Sequence, residues 1–188
     1  MANPYKYLKK YHHSNYRDKV YWSENLVYDI KNEELEEAKK IMGGYFPEQL
    51  QYFYENIGYA RITAPSHRPK DYDFSATNLI LPPLVAAHFY QGVFYYNESN
   101  FEEPLFFDDM YLANETLEFL EPGDLPFFEI ADSSSFMIMK TKSENPNAVW
   151  TMTGIKIEDS FERFIWRLYH ESPSYYEYII EGNYAKKN

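Results

Sequence analysis

Five histidines, His12, His13, His67, His88 and His170, are the side chains of this sequence best suited to moving a proton or holding a metal. No HExxH occurs, and no two of them sit at ligand spacing with a carboxylate on one helix face. His12 and His13 fall in a polar N-terminal segment and read as incidental surface histidines sooner than as a metal site. His170, beside Glu171 near a helix end, stands where the helix dipole favours a cation. His88 is expected at the edge of the core. Serine catalysis needs a strained turn such as GxSxG, and none is present. Ser133, Ser134 and Ser135 lie between two apolar runs and read as a turn. The seven glycines never fall in GxGxxG or GxxxxGK order, which speaks against a phosphate-binding loop. Carboxylates are paired at Glu102-Glu103 and Asp108-Asp109. Neighbouring acids on a strand or loop point in different directions, so no shared acid/base geometry follows. These acids read as a solvated rim or as a partner-binding patch. No catalytic set, metal site or cofactor site is expected.

The elements that would position such groups are easier to read. Residues 32–42 predict a helix. Asn32 is placed to cap it, Glu33, Glu34 and Glu36 lie at its positive end, Lys39 and Lys40 at its negative end, and Gly43-Gly44 stops it. Pro47 opens a second helix, with Leu50, Phe53, Tyr54 and Ile57 at i, i+3, i+4, i+7 spacing and Gly58 as its end. A strand is expected over 59–63 and a loop over 64–78. The apolar run at 79–81 leads to a helix from Pro82-Pro83 to Tyr90, with Leu84, Val85, His88 and Phe89 inward and Gly92 closing it. Candidate strands follow at 93–96, 105–107, within 115–120, and at 127–130, 136–140, 148–152 and 155–157. Glu144-Asn145-Pro146-Asn147 supplies turn chemistry between two of these. Asp159 or Ser160 caps a last long helix, Asp159 with Glu162 approximating a capping box. Phe161, Phe164, Ile165, Leu168 and Tyr169 make its wide apolar stripe, and Pro173 ends it. Each such side chain gains about 1.5–3 kcal/mol on burial, so this helix must lie on a sheet. Helices at both ends of a run of strands imply an α+β fold, a central antiparallel sheet flanked by helices, with one face covered.

At 188 residues, one domain is expected. Residues 1–25 read as a basic aromatic arm that docks or stays mobile, and residues 26–188 as a single domain. The arm carries a net charge of +3, from Lys6, Lys9, Lys10, Arg17 and Lys19 against Asp18 and Glu24, on a chain whose net charge is −11. That balance argues against direct nucleic-acid binding, which needs clustered cations. Aromatic residues make up 20% of the chain, with 20 tyrosines and 14 phenylalanines. Two readings stay open: a codon-biased composition, or a tyrosine-rich recognition face. There is no cysteine, so disulfide and thiolate chemistry are excluded. The N-terminal segment has no apolar core of a secretory signal, and no apolar run approaches the roughly 18 residues of a membrane span. A cytoplasmic protein without a membrane contact is expected.

Two blocks together resemble the SMI1/KNR4 family, also called the SUKH superfamily. The first is ELEEAKKIMGGYFPEQLQYFYENIG, in which Phe46-Pro47, Leu50, Phe53-Tyr54, Asn56 and Gly58 match the family's acidic helix and the Pro-initiated helix after it. The second is LPFFEIADSSSFMIMKT, the NPNAVW hairpin and DSFERFIWRLY, where Ser160, Phe161, Phe164, Ile165 and Leu168 match a closing helix. The family's Gly-Asp-rich turn is replaced by Ala131-Asp132-Ser133-Ser134-Ser135, and the arm has no counterpart. The resemblance implies a non-catalytic α+β protein-binding domain. Many bacterial members look like immunity proteins that neutralise a cognate toxin, often a nuclease, while fungal members are linked to regulation of cell-wall synthesis.

The leading expectation is therefore an immunity protein that binds a toxin domain. The expected contact residues are Glu98, Glu102, Glu103, Asp108 and Asp109, with Tyr95, Tyr96 and Tyr111 as aromatic anchors. A regulatory scaffold module of the cell-wall type is a second reading. A third, a hydrolase using His67 or His170 with a nearby carboxylate, would need convergent groups in a cleft that the sequence does not show.

Overall fold

The computed structural model describes residues 3–13, 25–63, 77–92, 120–130 and 135–187. A short 3-10 helix (Lys6–Tyr11) opens the chain, followed by β1 (His12–His13), β2 (Leu26–Tyr28), α1 (Asn32–Met42), α2 (Glu48–Asn56), β3 (Tyr59–Thr63), β4 (Thr77–Ile80) and α3 (Pro83–Tyr90). Then come β5 (Asp124–Glu129), β6 (Phe136–Lys140), β7 (Val149–Thr151), β8 (Lys156–Glu158), α4 (Phe161–His170) and α5 (Tyr175–Lys187). The eight strands form one sheet in chain order, β1 to β8. β2 to β8 run antiparallel, and β1 adds to β2 in parallel. The fold is α+β.

Local chemistry sets the helix ends. α1 closes in a Schellman turn. Gly43, at φ 87°, donates its N–H to the Lys40 carbonyl, and Gly44 to that of Lys39. Its start departs from expectation: Lys31 is the capping residue and makes no side-chain cap bond, because Asn32 is already inside the first turn. α2 follows Pro47, whose carbonyl accepts from Gln51 N–H at 2.9 Å. Gly58 ends that segment at φ 118°, and a Cβ built there would overlap the Tyr28 carbonyl oxygen. Only glycine lets α2 turn into β3 this close to β2. Ser160 caps α4, its Oγ accepting from Arg163 N–H at 3.1 Å. The box read from Asp159 and Glu162 does not form: Asp159 is one residue too early and pairs with Lys156 Nζ at 2.8 Å.

The core is built on β5 and β6. A register shift between Pro126 and Phe128 marks a β-bulge. It lets consecutive residues Phe127 and Phe128 both reach α4, their rings 6.0 and 5.0 Å from that of Phe164. Phe128 stands opposite Met137. The neighbouring Phe136 points to the other face by pleat alternation and meets Phe89 of α3 at 5.8 Å. Helices thus contribute to both faces, which corrects the expectation of a sheet covered on one. Phe136, Met137, Ile138 and Met139 are buried in succession, as a strand covered on both sides requires. In α3, Val85 and Phe89 are inward as expected, while Leu84 and His88 are only half-buried and Ala86 and Ala87 take the tight positions.

Three further ties position the surfaces discussed below. Tyr5, 1% exposed, sets its ring edge-on to Phe53 at 5.0 Å and Phe161 at 6.0 Å, and Leu8 is equally buried, so the start of the arm belongs to the core. Asn78, expected in a loop, lies in β4, where its Oδ1 accepts from Tyr176 Oη at 2.8 Å and its Nδ2 donates to the Pro173 carbonyl at 2.7 Å. Finally, the buried Glu158 carboxylate accepts from Arg167 Nη1 at 2.7 Å and pairs with Arg163 Nε at 3.2 Å. The Arg167 guanidinium also lies 4.1 Å from the Tyr175 ring centroid, which locks β8, α4 and α5 together.

Candidate functional site

The turn between α1 and α2 forces Tyr45 outward. Gly43 and Gly44 reverse the chain, while Phe46 is pulled inward against Tyr54, ring centroids 5.2 Å apart, which leaves Tyr45 74% exposed. Beside it opens a groove of about 660 Å³, walled by the end of α1, the outer side of α2, Tyr90 at the end of α3, and the β6–β7 hairpin. The scaffold's own polar groups are spent within its walls. Gln51 Oε1 accepts from Phe46 N–H at 3.3 Å, and its Nε2 donates to Glu55 at 3.0 Å. Asn147 Oδ1 accepts from Gln49 N–H at 3.0 Å, and Thr141 Oγ1 donates to the Gly123 carbonyl at 2.9 Å. Lys39 bridges Glu55 at 2.9 Å and Glu36 at 3.0 Å. These two carboxylates, Glu55 first, push its ammonium pKa above the ordinary lysine value. What remains to be presented is Tyr45, Tyr52, the Glu48 carboxylate and the Lys142 ammonium. Among the described residues no histidine lines this groove, which presents flat rings beside the Glu48 carboxylate and the Lys142 ammonium.

A second exposed feature lies on the outer side of α4. Trp166, 46% exposed, stacks on His170 at 4.6 Å and 20°. Tyr7 of the arm stacks on Tyr169 at 4.7 Å and meets His170 edge-on at 4.7 Å. Tyr11 and Tyr169 share a hydroxyl hydrogen bond of 3.1 Å. Lys10 Nζ hangs 4.9 Å from the Tyr11 centroid and 5.6 Å from that of Tyr169. The Tyr169 hydroxyl first, and then Asn25 and Lys10, hold the Tyr11 phenol below its ordinary pKa against the opposing effect of burial. Burial, together with the Glu162 carboxylate, pushes the Tyr7 phenol up.

His12, His88 and His170 lie on elements of the scaffold. His12 Nδ1 pairs with Asp29 at 3.0 Å beside the sheet edge. His88 is half-buried on α3. His170 Nδ1 lies 3.0 Å from the Trp166 carbonyl oxygen and its ring is held among Trp166, Tyr7 and Tyr169. His67 lies outside the described residues. So do all the residues expected as partner contacts, Glu98, Glu102, Glu103, Asp108, Asp109, Tyr95, Tyr96 and Tyr111, together with the candidate strands at 93–96 and 105–107. Among the described residues, no group of three or more histidines and carboxylates is placed to hold a metal ion, and no helix is long and apolar enough to cross a membrane.

Two exposed aromatics, Tyr45 and Trp166, and the half-buried Tyr52 escaped the sequence reading. Tyr45 carried a signal, since a residue between a Gly-Gly stop and a buried Phe-Pro has nowhere inward to go. Trp166 carried one too, standing off the Phe161–Phe164–Leu168 stripe. Tyr52 carried none, because its role depends on a hairpin almost 100 residues away in sequence. Set against protein-family models, curated proteins and solved structures, the chain matches none of them.

Proposed function

We propose that this chain is a non-catalytic, protein-binding domain of the SMI1/KNR4 type, and that it acts as an immunity protein by neutralising a toxin domain encoded beside it. One observation carries the reading: the groove beside Tyr45 satisfies its structural polar groups internally and presents tyrosine rings and a glutamate outward. Exposed aromatics held by a rigid frame are the residues from which protein interfaces draw most of their affinity. The net charge of −11 adds long-range attraction for a basic partner. A nuclease domain, whose nucleic-acid cleft is necessarily basic, is such a partner.

The test is co-expression with the toxin domain encoded next to the gene. Growth is expected to be restored and the two chains to co-purify. Tyr45→Ala combined with Glu48→Lys is expected to weaken the complex by more than about tenfold while leaving the fold intact by circular dichroism. A toxin that stays lethal and does not co-purify with the chain would defeat the proposal.

A further inference from the structure

The groove beside Tyr45 is lopsided in its hydrogen bonding. Its side-chain acceptors are mostly engaged by the chain itself. Gln51 Oε1 accepts from Phe46 N–H, Asn147 Oδ1 from Gln49 N–H, and Glu55 Oε1 from Lys39 and Gln51. Tyr90 Oη lies 3.3 Å from Thr141 Oγ1, whose own hydrogen goes to the Gly123 carbonyl, so Tyr90 is the donor of that pair. Four donors are left over: the hydroxyls of Tyr45 and Tyr52, the Asn147 Nδ2 amide and the Lys142 ammonium. Among the described residues none of these four has a hydrogen-bond or ion-pair partner. Against them stands one lining carboxylate in the same condition, that of Glu48.

Charge gives the occupant little sign. The charged residues lining the groove are Glu48, Glu55 and Lys142, and Lys39 ties Glu55 to Glu36. Three carboxylates and two ammoniums come to a single negative charge. The backbone of the walls also narrows the choice. The hairpin residues that line the groove, Thr141, Lys142, Pro146 and Asn147, lie between β6 and β7, and the edges of the sheet are β1 and β8. There is no strand edge here for a partner strand to extend. A helical segment would bring carbonyls already bonded within itself and leave the groove's donors without acceptors. An extended proline-rich segment does the opposite. Its polyproline II backbone makes no internal hydrogen bonds, so its carbonyls face outward, and each proline lacks the N–H that would need an acceptor. Its pyrrolidine rings are flat enough to lie on tyrosine faces.

We propose that the groove takes a short, uncharged, proline-rich segment of the partner protein in the polyproline II conformation. The rings of Tyr45 and Tyr52 bear the prolines, and the hydroxyls, Asn147 Nδ2 and Lys142 donate to the segment's carbonyls. A volume of about 660 Å³ suits a few residues of such a segment. This inference rests on the reading of the groove as the face that meets the partner, and it names what is met.

The experiment is fluorescence anisotropy on the full chain. The probe is a labelled, end-capped oligoproline, compared with capped Thr/Val and alanine-rich peptides of equal length. The oligoproline is expected to bind saturably and most tightly, with little change as salt rises. Tyr45→Ala is expected to weaken it by at least about tenfold. Tyr52→Phe removes a donor and keeps the ring. Asn147→Asp keeps the acceptor for Gln49 N–H and removes the amide donor. Each of these two is expected to weaken binding about three- to tenfold. Tyr178→Ala, at a ring 76% exposed on α5 and outside the groove, leaves it unchanged. Circular dichroism checks that each variant is folded, and Tyr52→Phe carries the donor test if Asn147→Asp is not. The inference is overturned if the oligoproline fails to bind, or if Tyr45→Ala and Tyr52→Phe bind it as well as the parent. It is also overturned if either comparison peptide proves the tighter ligand. Sedimentation that shows self-association abolished by Tyr45→Ala would make a second copy the occupant and reject the proline-rich segment. A toxin neutralised by a chain that ignores oligoproline removes this inference and leaves the proposed function; oligoproline binding beside a toxin that stays lethal does the reverse.

Discussion

The two sides of α4 use aromatic residues in opposite ways. On the inner side Phe161, Phe164, Ile165 and Leu168 are 0% exposed, and the phenylalanines meet Phe53, Phe127 and Phe128 edge-on at 5.0–6.0 Å. Phenylalanine has no polar atom, so it can be enclosed on every side at no desolvation cost. On the outer side stand Trp166, Tyr169 and His170, joined by Tyr7 and Tyr11, each with a polar atom and each partly open to water. The 20% aromatic content therefore divides into at least two populations. One sets the fold by volume, and the other is held at the surface by ring stacking. A codon bias explains neither the sorting of Phe inward nor the fixed geometry of the outer rings.

Alkaline pH separates the buried tyrosines from the exposed ones with the largest expected effect. Burial pushes the phenols of Tyr5, Tyr54, Tyr175 and Tyr176 above the ordinary value of 10.0. Their folded-state pKa is raised, so the stability they contribute is whole below pH 10 and is lost as the pH climbs from there towards the folded-state values. Each phenol that ionises only on unfolding costs about 1.4 kcal/mol of stability per pH unit. Four together exceed the reserve of an ordinary domain within a few pH units. Urea midpoints measured from about pH 8 to about pH 11.5 should stay level and then fall steeply. A midpoint that declines no faster than one phenol allows would mean that these tyrosines ionise in place.

Next in size is Phe164→Ala. This ring touches both Phe127 and Phe128 across the bulge and is fully buried. The expected loss is about 3–5 kcal/mol, read from urea unfolding. A loss under about 1 kcal/mol would mean that the inner side of α4 packs no better than its surface.

Sequence made the inner side legible and most of the outer side not. α1, β3 and β6 fall where periodicity and turn residues put them, and α4 carries the predicted stripe. These elements announce themselves because burial repeats at their own period. β2 is only three residues long, too short to show a repeat, and β4 begins inside a stretch that reads as loop. α5 leaves no sequence signal because, from Glu177 to Asn183, its residues are exposed or half-buried without a stripe. The bulge that turns Phe127 and Phe128 to one helix is marked only by Pro126, which has no N–H for the ladder of a central strand, and the groove assembles from segments that only tertiary packing joins.

Trp166→Ala should have the smallest effect on stability and sharpens the contrast most. If the outer rings were an extension of the core, removing so large a side chain would cost what Phe164→Ala costs. Trp166 is 46% exposed, and its main contact is the face of His170. Losing that stack forfeits about 0.5–1.5 kcal/mol, and the gain in helix propensity from Trp to Ala returns about 0.5 kcal/mol. The net change should stay within about 1 kcal/mol. A near-neutral change in stability is the signature of a side chain held at the surface rather than enclosed. A loss above about 2 kcal/mol would place Trp166 with the inner phenylalanines, and the division between the two sides of the helix would fall.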